Sequence, residues 1–415
     1  MKTFSRLLLA ACLAAGSAHA AGKPPIVLVH GFLGFDHATL GGNFRYWGGF
    51  NDIAQHLAAN SGRDVFTAGV GPVSSNYDRA IELYYQIKGG CVDYGAEHTA
   101  RNTIAVEQAK PAGKCWAADP SNNPDKYPLA LYPQWDAAHP IHLVGHSQGG
   151  QTIRTLIQLL EKPGESDPHC VPQDELLKGG RCGWVISATT IATPHNGTTL
   201  RDIVVNWLPS ASTLAGLAVQ AMGTGGSGGN GFKFRLEQYG VGAAPSESVT
   251  SFFERTRNHP FWSLDNHDSA QWELSPDGAR ELNNWVKTSP NVYYFSISAH
   301  AARKDMTVLL QGMAGEWVLP SFGKPGMGSF QQTAPGRVPT DARWFANDGV
   351  VNTISMAGPE GSTIQPLNGQ PVKGVWNQLD AMPGFDHFAV IGWGANSAKS
   401  LKMYDKLMAI LSGLD

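Results

Sequence analysis

Short apolar runs alternate with helix-type patterns along this chain. Five runs rich in β-branched or aromatic residues predict strands, because such residues pack well in a buried sheet. They lie at 25–30, 64–68, 141–144, 185–191 and 292–297. Apolar residues at helical spacing predict helices near 50–60 and 147–161. Short apolar strands separated by helices are typical of a mostly parallel sheet covered by helices, so we predict an α/β fold.

The first twenty residues have the pattern of a secretory signal peptide. Basic residues precede an apolar run over 7–15, and the segment ends in a small-x-small cleavage pattern, Ala-His-Ala. A lipoprotein-type box at 9–12 is an alternative, but it leaves the apolar region shorter than such signals require. We therefore expect residues 1–20 to be removed on export and residues 21–415 to form one domain.

The composition argues against two kinds of partner. Only 16% of the residues are charged, against roughly 25% in average domains, and the formal net charge is −3. No long basic run is present, whereas binding to nucleic-acid phosphates needs clustered Lys and Arg. No segment after the signal pattern approaches the roughly 18 uninterrupted apolar residues of a membrane-spanning helix. We expect a soluble mature protein with no nucleic-acid partner and no transmembrane segment.

Four cysteines follow the signal pattern: Cys91, Cys115, Cys170 and Cys182. An even number of cysteines in an exported chain favours disulfides. Three pairings are possible, and the one that closes the shortest loops joins Cys91 to Cys115 and Cys170 to Cys182. Free buried thiols are the alternative.

A serine lies between glycines in the sequence GHSQG at 145–149. The motif follows the predicted strand at 141–144 and opens the predicted helix at 147–161. In a nucleophile elbow, a strand ends at a sharp turn that holds a serine in a strained conformation, and small flanking residues let strand and helix pass closely. This context predicts that Ser147 is a nucleophile. An ordinary turn serine is the alternative.

A nucleophilic serine needs a histidine as its base and a carboxylate that orients the histidine. In proteins with this elbow the chain order is serine, acid, histidine. Only one histidine, His387, follows His300, so it is the predicted base. Asp348, in the polar turn of RWFANDGVVN, is the favoured acid. The residues alone also leave open Asp265, Asp268, Asp277, Asp341 and Asp380.

An acyl transfer also needs N–H donors for the developing oxyanion. The backbone N–H of Gln148, directly after the serine, is one expected donor. The loop HGFLG at 30–34 follows the first predicted strand and offers a second donor at Phe32. A plain glycine turn is the alternative for this loop.

An amphipathic stretch over about 198–221 is rich in Leu, Val and Trp. A glycine-serine run at 222–231 follows it directly. On composition alone, this pattern favours an ordinary surface helix and loop over a mobile element.

Six motifs stand in order along the chain: VLVHGFLGF, GPVSSNYDRA, VDYGAEH, GHSQGGQT, TTIATPHNGTTL and ARWFANDGVVNT. Together they make the chain similar to the bacterial true lipases of the staphylococcal and thermophilic Bacillus/Geobacillus type. The resemblance extends from about residue 25 to the C-terminus. It implies an α/β-hydrolase fold with a helical lid, hydrolysis of triacylglycerols at an oil–water interface, and no organic cofactor.

The resemblance also assigns site residues. It places the nucleophile, acid and base on Ser147, Asp348 and His387, and the oxyanion donors on Phe32 and Gln148. It places the lid at about 198–232, in place of an ordinary surface helix. The implied activity is that of a serine ester hydrolase, with a carboxylesterase or polyester hydrolase as the alternative. A non-catalytic binding scaffold, a third possibility, usually lacks part of the catalytic triad.

The structural zinc site of these lipases transfers only in part. By resemblance, Asp78, His98 and Glu237 match three of its ligands. The position of the remaining histidine ligand is Ile104, which has no ligand atom. Because structural zinc sites usually close with four protein ligands, a zinc ion and ordinary polar contacts of these residues are both open.

The calcium site of these lipases is not matched. Calcium needs several oxygen ligands, carboxylates prominent among them. By resemblance, a glutamate and an aspartate are expected where this chain has Ala389 and Gly394. We therefore expect no calcium there.

Overall fold

The computed structural model describes ten segments of the chain. These are 22–36, 44–101, 108–161, 179–207, 234–244, 247–301, 309–312, 315–318, 326–394 and 397–415. Four features discussed above lie outside the described residues: the signal segment 1–20, Ile104, Cys170 and positions 208–232 of the expected lid.

A sheet of seven parallel strands organises the described residues. The strands are β1 Ile26–Val29, β2 Val65–Ala68, β3 Ile141–His146, β4 Val185–Ile191, β5 Tyr293–Ile297, β6 Ile364–Pro366 and β7 Trp376–Gln378. Their order across the sheet is β6-β7-β5-β4-β3-β1-β2. The first five confirm the strands predicted from sequence. The last two are short strands with polar residues, which the apolar pattern did not reveal: β6 lies at the edge of the sheet, and β7 lies between β6 and β5.

Nine α-helices accompany the sheet within the described residues. They are α1 Ile53–Ser61, α2 Asn76–Lys88, α3 Ala96–Arg101, α4 Gln148–Glu161, α5 Thr199–Trp207, α6 Val249–Thr256, α7 Ala270–Glu273, α8 Pro276–Trp285 and α9 Ser397–Ser412. Polar caps start several of them: the Asp52 side chain accepts the N–H of Gln55, and Ser75 accepts that of Asp78. No described helix is long and apolar enough to cross a membrane.

Both faces of the sheet are buried. Along β1, Ile26 and Leu28 belong to one apolar core, which also contains residues of α1 and α9. Val27 and Val29 belong to the other core, together with residues of α2 and α4. Side chains alternate between the two faces of a strand, so helices on both faces explain why β1 is apolar throughout.

Short strand pairs and turns complete the described structure. The strand pairs join Gly90–Cys91 to Cys115–Trp116, Ala299–His300 to Met382–Pro383, and Leu309–Gly312 to Gly315–Val318. The 3-10 helices are Glu237–Tyr239, Pro260–Trp262, Ala342–Trp344, Thr353–Ser355 and Ala389–Ile391.

A disulfide joins Cys91 to Cys115 and closes the first of these strand pairs. This confirms the pairing predicted for these two cysteines. Cys182 is also disulfide-bonded. Its predicted partner, Cys170, lies outside the described residues, so the second pairing stays a prediction.

Candidate active site

Ser147 lies in the turn between β3 and α4 with a φ of 55°, in the left-handed region that serine rarely adopts. Its backbone N–H donates to Ile191 O of β4 at 2.9 Å. Side chains do not fit beside it: a Cβ on Gly145 would lie 2.5 Å from Gly149 O. A Cβ on Gly149 would lie 2.2 Å from Val29 O. The turn therefore has the close packing and backbone strain of a nucleophile elbow.

His387 and Asp348 form a direct, buried pair. The ring Nδ1 and Asp348 Oδ2 lie 2.6 Å apart, and because the carboxylate accepts, Nδ1 carries the proton. The second oxygen, Oδ1, accepts the N–H of Val350 at 2.9 Å and that of Val351 at 2.7 Å. Three hydrogen bonds fix the carboxylate, which in turn fixes the tautomer that leaves Nε2 as the proton acceptor.

The other aspartates that the sequence left open lie in different surroundings. Asp268 contacts His98. Asp277 binds Arg337. The remaining three are exposed: Asp265, Asp341 and Asp380. Asp348 itself lies in a loop closed by a bridge between residues 347 and 352.

His146 connects the serine turn to the His387–Asp348 pair. The centroids of the His146 and His387 rings are 4.6 Å apart, and His146 Nε2 donates to His387 O at 2.9 Å. Ser147 follows His146 directly, so the predicted nucleophile and base are neighbours. Within the described residues no hydrogen bond joins the Ser147 hydroxyl to the His387 ring. Such bonds are often long in unliganded enzymes and tighten when substrate binds.

The HGFLG loop packs directly on the serine turn. A Cβ on Gly31 would lie 2.5 Å from Ser147 Cβ, so only glycine fits there. Leu33 has a φ of 55°, which bends the loop sharply. Phe32 lies between these two residues, and Gln148 is the first residue of α4. Both expected oxyanion donors therefore lie beside the serine.

Arg79 of α2 fixes this loop, a role that the sequence reasoning missed. Its guanidinium donates to His30 O at 2.5 Å, to Gly71 O at 2.7 Å and to Thr152 Oγ1 at 2.8 Å. Burial lowers the pKa of Arg79 to about 10, so the side chain stays charged at neutral pH. Its only signal in the sequence is its place in the GPVSSNYDRA motif.

A second polar cluster contains Asp78, His98 and Asp268, whose potential ligand atoms lie within 4.8 Å of one another. His98 Nε2 is 3.2 Å from Asp78 Oδ1 and 3.3 Å from Asp268 Oδ2. Burial alone would lower the pKa of His98, but its hydrogen bonds to Asp268 and Asp78 outweigh this and raise the pKa to about 10. Burial and the charge of Asp268 raise the pKa of Asp78 to about 6.

Glu237 does not belong to this cluster, contrary to the ligand set expected by resemblance. Its carboxylate lies 3.7 Å from Lys114 Nζ. The neighbouring Gln238 instead reaches the cluster and donates to Asp78 Oδ2 at 2.8 Å. Asp268, from the segment before α7, occupies the third position. No spacing signal in the sequence marked Asp268 as a ligand, because it lies far along the chain from Asp78.

A cavity of about 1440 Å³ opens beside this polar cluster. His98 and Asp268 line it together with aromatic residues such as Tyr77. None of Ser147, Asp348 and His387 lines it. The cavity is therefore separate from the residues assigned to the ester chemistry.

The two positions that bear on calcium offer no side-chain oxygen. Ala389 is buried at the start of the short helix Ala389–Ile391. Gly394 has a φ of 73° in the turn that follows. The absence of calcium stays a prediction.

The sheet, the strained serine turn and the His387–Asp348 pair define an α/β-hydrolase. Within this class, the chain belongs to the family described as lipase-like, C-terminal domain, whose model matches residues 22–414. The resemblance to staphylococcal-type lipases, drawn from the sequence motifs, is confirmed.

Individual proteins and solved structures similar to this chain are consistent with membership of this family. Over 401 residues, the chain is 32% identical to a lipase of Staphylococcus epidermidis, with 94% of this chain and 53% of that protein covered. It thus spans about half the length of that curated relative. Lipase 1 from Pelosinus fermentans is 36% identical with a TM-score of 0.76, covering 94% of this chain and 99% of the other. EstA from Clostridium botulinum is 34% identical with a TM-score of 0.76, covering 94% and 88%.

Proposed function

We propose that this chain is a secreted lipase that hydrolyses the carboxylic ester bonds of triacylglycerols through an acyl-enzyme. The hydrogen bond between His387 and Asp348 beside the strained Ser147 carries the proposal, because an oriented imidazole turns a serine hydroxyl into a nucleophile. Membership of the lipase-like family and similarity to proteins named lipases support an ester substrate.

In the acylation half, Ser147 Oγ attacks the ester carbonyl while His387 Nε2 takes the hydroxyl proton. The carbonyl oxygen becomes an oxyanion, which accepts hydrogen bonds from the N–H groups of Phe32 and Gln148. The tetrahedral intermediate then expels the alcohol, which receives the proton from His387. Asp348 stabilises the imidazolium during these steps and stays ionised.

In the deacylation half, a water molecule takes the place of the alcohol. His387 Nε2 accepts a proton from this water as it attacks the acyl group on Ser147. Collapse of the second tetrahedral intermediate returns the proton to Ser147 Oγ and releases the fatty acid. The free enzyme is restored, and no organic cofactor takes part in either half.

The remaining parts of the proposal concern the lid and export. Residues 198–232 form the lid of one domain that spans 21–415. The support is the amphipathic sequence of this segment and α5, Thr199–Trp207, which begins it. Residues 1–20 act as the export signal, on the pattern of basic residues, apolar run and small-x-small site.

Emulsified triolein is expected to be hydrolysed, and the rate on tributyrin should rise steeply above its solubility limit. The reason is that an amphipathic lid exposes an apolar acyl site when it meets an interface. Titration of the released fatty acid at constant pH measures both effects. Ser147→Ala protein serves as the blank.

One outcome distinguishes a lipase from an esterase, and a second one tests the lid. Hydrolysis confined to dissolved short-chain esters, with no rise at the interface, would contradict the lipase and leave the carboxylesterase or polyester hydrolase. Loss of the interfacial response after removal of the lid segment, with activity on dissolved esters retained, would support the lid.

We also infer that Asp78, His98 and Asp268 hold a structural zinc ion. Carboxylate oxygens and imidazole nitrogens are ordinary zinc ligands, and those of these three side chains converge. Zinc would link α2, α3 and the segment before α7. It takes no part in the ester chemistry.

His98→Ala protein is expected to lose its zinc, because one of three ligands is removed. Elemental analysis after mild dialysis measures the zinc content. Glu237→Gln is the matched control, since it removes the nearby carboxylate that lies outside the cluster, and it should keep its zinc. Equal zinc content in wild-type and His98→Ala protein, or loss of zinc in Glu237→Gln alone, would contradict this ligand set.

A further inference from the structure

One chain of hydrogen bonds runs from the HGFLG loop to the predicted base. The N–H of Gly31 donates to Tyr46 Oη at 2.8 Å, so the hydroxyl accepts there. Tyr46 Oη lies 2.6 Å from His146 Nδ1, and His146 Nε2 lies 2.9 Å from His387 O. A carbonyl oxygen only accepts, so Nε2 carries the proton. In the neutral imidazole Nδ1 must then accept the hydroxyl proton of Tyr46.

The side chains that form this chain of hydrogen bonds are buried and uncharged. Tyr46, His146 and His387 are all buried. Burial lowers the pKa of His146 well below its usual value. Burial also raises the pKa of Tyr46. Because the Tyr46 hydroxyl and the His146 ring are neutral, each accepts one hydrogen bond and donates one. All the hydrogen bonds therefore point the same way, from Gly31 to His387.

The hydrogen-bond chain reaches each of the three parts of the site on which the proposed chemistry depends. Gly31 precedes Phe32, the expected oxyanion donor. His146 precedes Ser147, the expected nucleophile. The carbonyl of His387 anchors the backbone of the expected base. No other hydrogen-bonded side chain among the described residues links these three parts in one path.

Packing holds the Tyr46 ring in place. Phe35, Trp47 and Trp393 surround it with ring centroids 5.9, 5.6 and 6.3 Å away. Trp393 Nε1 also donates to Tyr46 O at 2.8 Å. The hydroxyl therefore has little freedom to move away from Gly31.

We propose that Tyr46 and His146 are positioning residues. Through one chain of hydrogen bonds they hold the HGFLG loop, the serine turn and the base His387 in fixed relative positions. The proposal rests on the function proposed above. It has a direct consequence for the oxyanion hole: the N–H of Gly31 is already committed to Tyr46, so the loop donor is the next N–H, that of Phe32.

Tyr46→Phe removes the hydroxyl and leaves the ring packing intact. We expect kcat on a dissolved ester to fall about 10- to 100-fold, the loss expected when reacting groups move by about 1 Å. KM should change little, because the acyl-binding surface is untouched. The rate of labelling by a fluorophosphonate should fall in parallel, since it requires the same nucleophile and oxyanion donors.

Tyr404→Phe is the matched control. Tyr404 is buried and its ring lies 6.4 Å from that of Trp47, which packs on Tyr46. Its hydroxyl has no hydrogen-bond partner among the described residues. This variant should keep the wild-type kcat. Equal values of kcat in the two variants, whether both high or both low, would overturn the positioning role.

His146→Asn interrupts the same chain at its next member and provides a test independent of Tyr46. The double variant Tyr46→Phe/His146→Asn should lose no more activity than the more damaged single variant, because one chain is broken only once. Losses that multiply would overturn the proposal. A wild-type protein without esterase activity would instead refute the proposed function. Failure of the positioning role and failure of the proposed function are therefore distinguishable.

Discussion

Replacement of Ser147 by alanine is expected to lower kcat for ester hydrolysis about a millionfold, the order seen when a catalytic serine is removed. Without Oγ no acyl-enzyme forms, and only a slow attack by water remains. Alanine has no larger side chain than serine, so it fits the strained turn, where φ is 55°. Release of a chromogenic alcohol under saturating substrate measures the loss. Labelling by a fluorophosphonate should disappear with it.

Ser296→Ala is the matched control for this loss. Ser296 is buried on β5, and its hydroxyl has no hydrogen-bond partner among the described residues. Its removal should leave both kcat and labelling at the wild-type level. Wild-type turnover in Ser147→Ala protein, or a label found on another serine, would show that the mechanism is wrong.

Asp348→Asn is expected to lower kcat about ten-thousandfold, as in other triads that lose the carboxylate charge. The amide oxygen can keep the bonds to Val350 and Val351. The amide nitrogen then faces His387 Nδ1 and donates to it. This stabilises the tautomer with its proton on Nε2, which cannot accept the proton of Ser147. Steady-state kinetics should show the loss in kcat with KM little changed.

Asp386→Asn separates this effect from the removal of any charge near the base. Asp386 precedes His387 directly, but its Oδ1 accepts the N–H groups of Phe388 at 2.8 Å and Ala389 at 2.9 Å. Asparagine can keep both bonds, so turnover should stay close to wild-type. If the two variants lose activity equally, or if Asp386→Asn is the more damaged, Asp348 is not the orienting acid.

The buried strands were predictable because their signal is local. The strands β1, β3, β4 and β5 are short, mainly apolar runs, and burial on both faces requires such runs. The edge strand β6 and its neighbour β7, with the sequences IQP and WNQ, carry no such signal. They were found only through their pairing with the sheet.

The candidate site was predictable where a motif specifies its own geometry. Gly145 and Gly149 flank Ser147 because the strand and helix leave no room for side chains, and this demand is visible in the sequence. The acid was different, because any of several aspartates satisfied the sequence rules. The family resemblance pointed to Asp348, and the contact between Asp348 and His387 separates it from the other aspartates in the structure.

The sequence by itself determined the α/β order of elements, the turn that carries Ser147, and the late histidine His387. It did so because apolar periodicity and backbone sterics act over a few residues. The tertiary structure alone decided which polar groups meet: Asp268 joins His98 in place of Glu237, and Tyr46 reaches His146 across 100 positions of the chain. Such contacts depend on how distant segments pack, and a hydrogen bond forms only when that packing brings donor and acceptor together.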